Sequence, residues 1–157
     1  MNSLRARRES VARHTIRQCL MSHATDTASR ALERLGGPLS LENLDAFLLD
    51  SDCVKYRATI VFDSAPLEPR QFALLVFQGG SPQRVCKLYV HPYFASAREH
   101  LPLIVAYMAG AINFGGSVPL SFCEMYGAAL MQMPHDEFYE AIRAVTCLIP
   151  SQHVFAH

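Results

Sequence analysis

The chain has no CxxC pair, no HExxH, no GxGxxG and no glycine-rich loop followed by Lys-Ser/Thr. Its five cysteines, Cys19, Cys53, Cys86, Cys123 and Cys147, are odd in number and widely spaced. That spacing leaves a zinc ribbon or a thioredoxin-type motif without support. It fits a reducing compartment, where a free Cys behaves as a small buried hydrophobe. No apolar run reaches the roughly 18–20 residues that a membrane span needs. The longest candidate, Leu101 to Phe114, contains Pro102, Gly110 and Asn113. The start of the chain has no apolar segment of the signal-peptide kind. Its Arg-rich, acid-poor composition is shared by mitochondrial transit peptides, but the expectation is a cytoplasmic protein. Internal repeats and low-complexity tracts are absent as well.

Half of the 157 residues are apolar and 18% are charged, a globular composition that fits one domain. A domain of this size buries roughly two-thirds of its unfolded surface, so it needs no disulfide or metal staple. The formal charge is zero, but it is unevenly spread. Residues 1–23 carry Arg5, Arg7, Arg8, Arg13 and Arg17 against Glu9, a net of +4; the remainder carries nine Lys/Arg against thirteen Asp/Glu, a net of −4. A basic arm on an acidic body follows. Without interleaved aromatics the arm reads more readily as a solvated helix than as a nucleic-acid binder, which leaves nucleic acid a disfavoured partner.

Residues 4–21 and Thr25–Leu35 read as two helices, the second stopped by Gly36-Gly37-Pro38. Residues 1–36 are therefore expected to form the arm, 37–150 the α+β domain and 151–157 a flexible tail. Leu41–Leu49 is a short helix with Leu41, Leu44, Phe47 and Leu48 on one face. From Val54 to Asp63 the residues alternate: Val54, Tyr56, Ala58, Ile60 and Phe62 on one side, Lys55, Arg57, Thr59 and Asp63 on the other. Period two predicts a half-exposed antiparallel strand. Phe72–Gln78 is a second strand, apolar on both faces and so expected at the centre. After a turn at Gly79-Gly80-Ser81-Pro82, Arg84–His91 is a third strand with Cys86, Leu88 and Val90 on one side.

Leu101–Ile112 is predicted as a buried helix, with Pro102 in its first turn and a stop at Asn113-Phe114-Gly115-Gly116. Val118–Met133 reads as a hairpin around Tyr126-Gly127 or as a helix striped by Leu120, Cys123, Leu130 and Met131. Pro119, Gly127 and the aromatics favour the hairpin. Pro134 opens a last helix with Asp136 and Glu137 near its positive end and Phe138, Ile142, Val145 and Ile149 on its inner face. The expected fold is α+β: N-terminal helices, then βββ-α-ββ-α, with about five antiparallel strands and helices packed on one sheet face.

Chemistry-bearing clusters are sparse. His91, Glu99 and His100 are possible zinc ligands, but their spacing is no recognised one. Cys19 with His23, and His153 with His157, share a spacing of four. Cys123 beside Glu124 could be a nucleophile only against its negative neighbour, which opposes the thiolate. Asp50 and Asp52, and Asp136, Glu137 and Glu140, read as solvated acids. No catalytic residue, metal or cofactor is expected. Met125, Met131 and Met133, beside Phe122, Tyr126 and Leu130, suggest an adaptable surface for apolar partners, with Lys55 and Arg57 as its rim.

Three stretches carry a resemblance. Lys87-Leu-Tyr-Val-His-Pro-Tyr93, Leu103-Ile-Val-Ala-Tyr-Met-Ala-Gly-Ala-Ile-Asn113-Phe-Gly115 and Asp136-Glu-Phe-Tyr-Glu-Ala-Ile142 together resemble the type III secretion chaperone-like fold. Bacterial sensory-transduction-regulator domains of the YbjN type share that fold. The resemblance spans about residues 40–149 and implies two strands between the last two helices. It implies a non-enzymatic homodimer that binds an extended segment of another protein, in a chaperone-like or regulatory role. The competing expectations are an enzyme or small-ligand domain built on His91, His100, Cys123 and Glu124, and nucleic-acid binding through residues 1–23.

Overall fold

The computed structural model describes residues 2–80, 84–114 and 119–150. In chain order they form α1 (Asn2–Leu35), α2 (Leu44–Leu49), β1 (Ala58–Phe62), β2 (Ala73–Gln78), β3 (Val85–Val90), α3 (Tyr93–Ser96), a 3-10 turn (Arg98–His100), α4 (Leu101–Phe114), α5 (Leu120–Met131) and α6 (His135–Leu148). The class is α+β as expected, but among the described residues the sheet has three strands, not five. The expected turn residues Ser81 and Pro82, Gly115-Gly116, and the 151–157 tail with His153 and His157 lie outside the described residues.

α1 is one helix where the sequence suggests two. At 1.5 Å per residue it is about 50 Å long. Leu4, Val11 and Ile16 are exposed, whereas Ala24, Ala28 and Ala31 are fully buried. These alanines recur at i, i+4 and i+7, so a narrow small-residue face lies against α5 and the packed body begins inside α1. Gly36 ends the helix in the left-handed region, φ 75°, with its N–H on the Leu32 carbonyl at 2.9 Å.

The strand expected from Val54 starts only at Ala58. Residues before it spend their donors elsewhere: the Val54 N–H on the Asp50 carbonyl at 2.9 Å and the Lys55 N–H on Asn113 Oδ1 at 2.7 Å. A backbone so engaged has nothing to give a neighbouring strand. β1 also pairs parallel with β3, not antiparallel, in the register Ala58↔Cys86 to Phe62↔Val90. β3 is the central strand and β2 an edge. Being apolar on both faces concerns what lies above and below a strand, not what lies beside it. Cys86, Leu88 and Val90 of β3 are the sheet's most deeply buried row.

One sheet face, Ala58, Ile60, Phe62, Ala73, Leu75, Phe77, Cys86, Leu88 and Val90, joins the core with α4. The other face, with Val61, Leu74, Val76 and Tyr89, is half-buried and lies outside that core. α4 runs through the middle of the molecule between β2, α5 and α6, which explains why it is apolar nearly all round.

The hairpin expected over 118–133 is instead α5. Pro119 stands before its first turn, Phe122, Tyr126 and Leu130 recur every four residues on the buried face, and Gly127 faces α4 and α6. The glycine is thus a close-packing residue, not a turn residue. α5 closes with Gln132 at φ 52° and the Met133 N–H on the Ala128 carbonyl at 2.9 Å. α6 buries Phe138, Ile142 and Val145, as its periodicity indicates, and the expected fourth residue, Ile149, is buried just past the helix end in extended backbone. No helix among the described residues is long and apolar enough to cross a membrane.

Candidate functional site

An edge strand exposes a row of unused backbone groups. On β2 that row can be read from the register. The His91 N–H donates to the Phe72 carbonyl at 2.9 Å, which makes Phe72 and His91 a hydrogen-bonded pair. Along an antiparallel ladder such pairs alternate, so Leu74, Val76 and Gln78 turn their backbone groups to β3. Ala73, Leu75 and Phe77 turn theirs to the open edge. Nothing along Ala73–Phe77 blunts this edge: it holds neither Lys nor Pro.

Beside the open edge lies a groove of about 450 Å³. Phe72 to Leu74 form one wall, Tyr107, Met108 and Ala111 of α4 the floor, and Leu120 and Cys123 of α5 the far end. Phe72 and Tyr107 meet edge to face with centroids 5.8 Å apart, which fixes the strand's entry against the helix. Leu120 is 68% exposed, an apolar side chain left at the rim. Burial raises the Tyr107 hydroxyl pKa, and burial, then Glu124, raises that of the Cys123 thiol, so both groups are neutral at pH 7. The groove accepts apolar groups and offers Arg70 at its mouth. A larger hollow of about 520 Å³ lies between α2 and β1, but Asp45 and Arg98 both line it. Volume alone therefore does not pick the site.

The surface expected from the methionines does not form. Phe122 is 4% exposed and packs edge-on to Phe114 at 4.8 Å, while Met125, Met131 and Met133 are half-buried. Met131 and Met133 pack on the core. Lys55 and Arg57 are exposed, but they precede β1 and line a separate hollow. Of His91, His100, Cys123 and Glu124, only Cys123 lines the groove. His91 Nδ1 accepts the Tyr93 N–H at 3.1 Å, His100 packs edge-on to Phe94, and Glu124 pairs with His135 at 3.2 Å. No cluster of three His, Cys, Asp or Glu side chains that could hold a metal occurs among the described residues. Asp50 and Asp52 are not merely solvated: both engage Arg34. Asp136, Glu137 and Glu140 are exposed on α6. Sequence reasoning missed Tyr107, Met108 and the β2 edge. The available signal was the two-sided apolar character of Phe72–Gln78, which also suits a strand awaiting a neighbour. No family model, curated protein or solved structure matches this chain.

Proposed function

We propose that the chain is a non-enzymatic protein-interaction module that takes an extended apolar segment of another protein onto the β2 edge. The observation that carries this reading is the open, unblunted edge of Ala73–Phe77 beside an apolar groove. An added strand would satisfy the edge's backbone groups, and alternate side chains would enter the groove over Met108 and Tyr107. The role is chaperone-like or regulatory. The resemblance to type III secretion chaperone-like proteins implies the same role, but that fold has two strands where this chain has α5, so the reading rests on the edge and groove. A homodimer is part of it: two copies meeting through the sheet face of Val61, Leu74, Val76 and Tyr89 would cover half-buried apolar surface that lies outside the core.

A display library of octapeptides with alternating apolar and polar positions tests the segment site. Binders should bury two apolar residues at i and i+2 and should lose most of their affinity to the Ala73→Pro variant. Proline there removes an outward N–H and leaves the β3 ladder intact. Binding that is indifferent to Ala73→Pro, with the variant folded by circular dichroism, would falsify the edge site.

A further inference from the structure

At the opposite end of the sheet from the groove, the segment before β1 and the start of β3 enclose a hollow of about 320 Å³. Lys55, Tyr56, Arg57 and Arg84 line it, with Ser51 beside them. Tyr56 is its aromatic wall. Lys55 Nζ stands 5.5 Å from the Tyr56 ring centroid and Arg84 Cζ 5.7 Å, so two cations converge on one ring. Arg84 is also set over Phe77 at 4.3 Å, and Phe77 meets Tyr56 edge to face at 5.6 Å. Stacking of this kind holds the guanidinium by its face and leaves its N–H edge free to donate.

The acids nearest in sequence, Asp50 and Asp52, pair with Arg34. Asp50 lies 2.9 Å from Arg34 Nε and Asp52 3.5 Å from Arg34 Nη1, and Asp52 lines a neighbouring hollow that it shares with Lys55. The Asp52 N–H, then Arg34, hold the Asp50 carboxyl below its ordinary range. Among the described residues Lys55, Arg57 and Arg84 make no ion pair, and no carboxylate lines the hollow.

We propose that this hollow binds a phosphate monoester, with Arg57, Arg84 and Lys55 on the phosphate and Tyr56 against a planar group that carries it. A dianion leaves one of the three positive charges over, whereas a lone carboxylate would leave two. Guanidinium forks fit phosphate oxygens two at a time. The site is separate from the β2 groove and does not depend on what binds there.

Titration of the full chain in 150 mM sodium chloride, followed by amide NMR shifts, tests it with inorganic phosphate, phenyl phosphate and acetate as probes. Saturable shifts confined to residues 51–57 and 84–85 are expected for both phosphates, tighter for phenyl phosphate, with acetate weaker than either. Arg57→Gln and Arg84→Gln should each weaken phenyl phosphate by about tenfold or more, the loss of one charge-assisted hydrogen bond. Both side chains are exposed, so both variants should fold, Arg57→Gln at the parent's melting temperature and Arg84→Gln slightly below it for the lost stacking on Phe77 and Tyr56. Shifts that do not saturate, that acetate reproduces, or that survive both substitutions overturn the proposal.

Discussion

Asn113, the next-to-last residue of α4, joins three parts of the molecule. Its Nδ2 donates to the Cys53 carbonyl at 3.1 Å and to the Tyr126 hydroxyl at 2.9 Å, and its Oδ1 accepts the Lys55 N–H at 2.7 Å. It is the one buried polar residue among those described. Replacing it by Ala takes the partner from the part-buried Lys55 N–H, the Cys53 carbonyl and the Tyr126 hydroxyl, so Asn113→Ala should cost about 2–4 kcal/mol. Tyr126→Phe removes one bond and should cost about 1 kcal/mol, and urea unfolding midpoints would show the order. Because this node holds the Cys53–Lys55 segment, Asn113→Ala should also weaken phenyl phosphate at the adjacent hollow. The thiols divide by the same logic of burial. Cys19 and Cys147 are exposed, whereas Cys53, Cys86 and Cys123 are buried. Burial, then Asp50, pushes the Cys53 thiol up to about 11, which leaves almost no thiolate at pH 8. A thiol-disulfide reagent at pH 8 should therefore titrate two groups quickly and three only on unfolding.

Among the elements, α5 shows most clearly how a local signal can be misread. Proline, glycine and aromatic residues have poor helix propensity, and over 118–133 they outweigh the helical stripe when read alone. Each finds its use in a helix. Pro119 precedes the first turn, where its missing N–H costs nothing. A Cβ on Gly127 would run into the Phe138 ring and come within 3.0 Å of the Ala106 carbonyl. Gly127→Ala should therefore destabilise by about 1–3 kcal/mol despite the better propensity of Ala. Gly110→Ala meets Cys123 Sγ at 3.2 Å, a milder conflict, and should cost less by thermal melting. The other informative element is α1. Its side chains from Ser3 to Ile16 are exposed, so removing residues 1–16 takes away no core contact of a described side chain. The melting temperature of the truncated chain should stay within about 2 °C of the parent. A larger drop would show that the basic arm packs on the body or on a second copy.

At the scale of the whole molecule, helices cover one face of a three-stranded sheet and leave an apolar row, Val61, Tyr89 and Leu74, directly opposite one another on the second face. Such a row stabilises a sheet but also invites cover. If two copies provide it, light scattering after size exclusion should give a dimer, and Tyr89→Lys should return a folded monomer. A parent that is monomeric at all concentrations would leave the segment site standing and remove the dimer.

The last helix and the alternation of β3 were legible in the sequence because each depends on one local period, 3.6 for Phe138, Ile142 and Val145 and 2 for Cys86, Leu88 and Val90, and α4 was legible from its apolar run between Pro102 and Asn113. The identity of the central strand, the parallel pairing of β1 and the helical state of α5 were not legible. They depend on which surfaces meet across long stretches of chain, and periodicity describes one element's faces without naming what covers them. Both hollows follow the same rule. Phe72–Leu74 meets Tyr107 and Cys123, and Tyr56 meets Arg84, only after the sheet has taken its order, so no spacing in the chain could have announced either site.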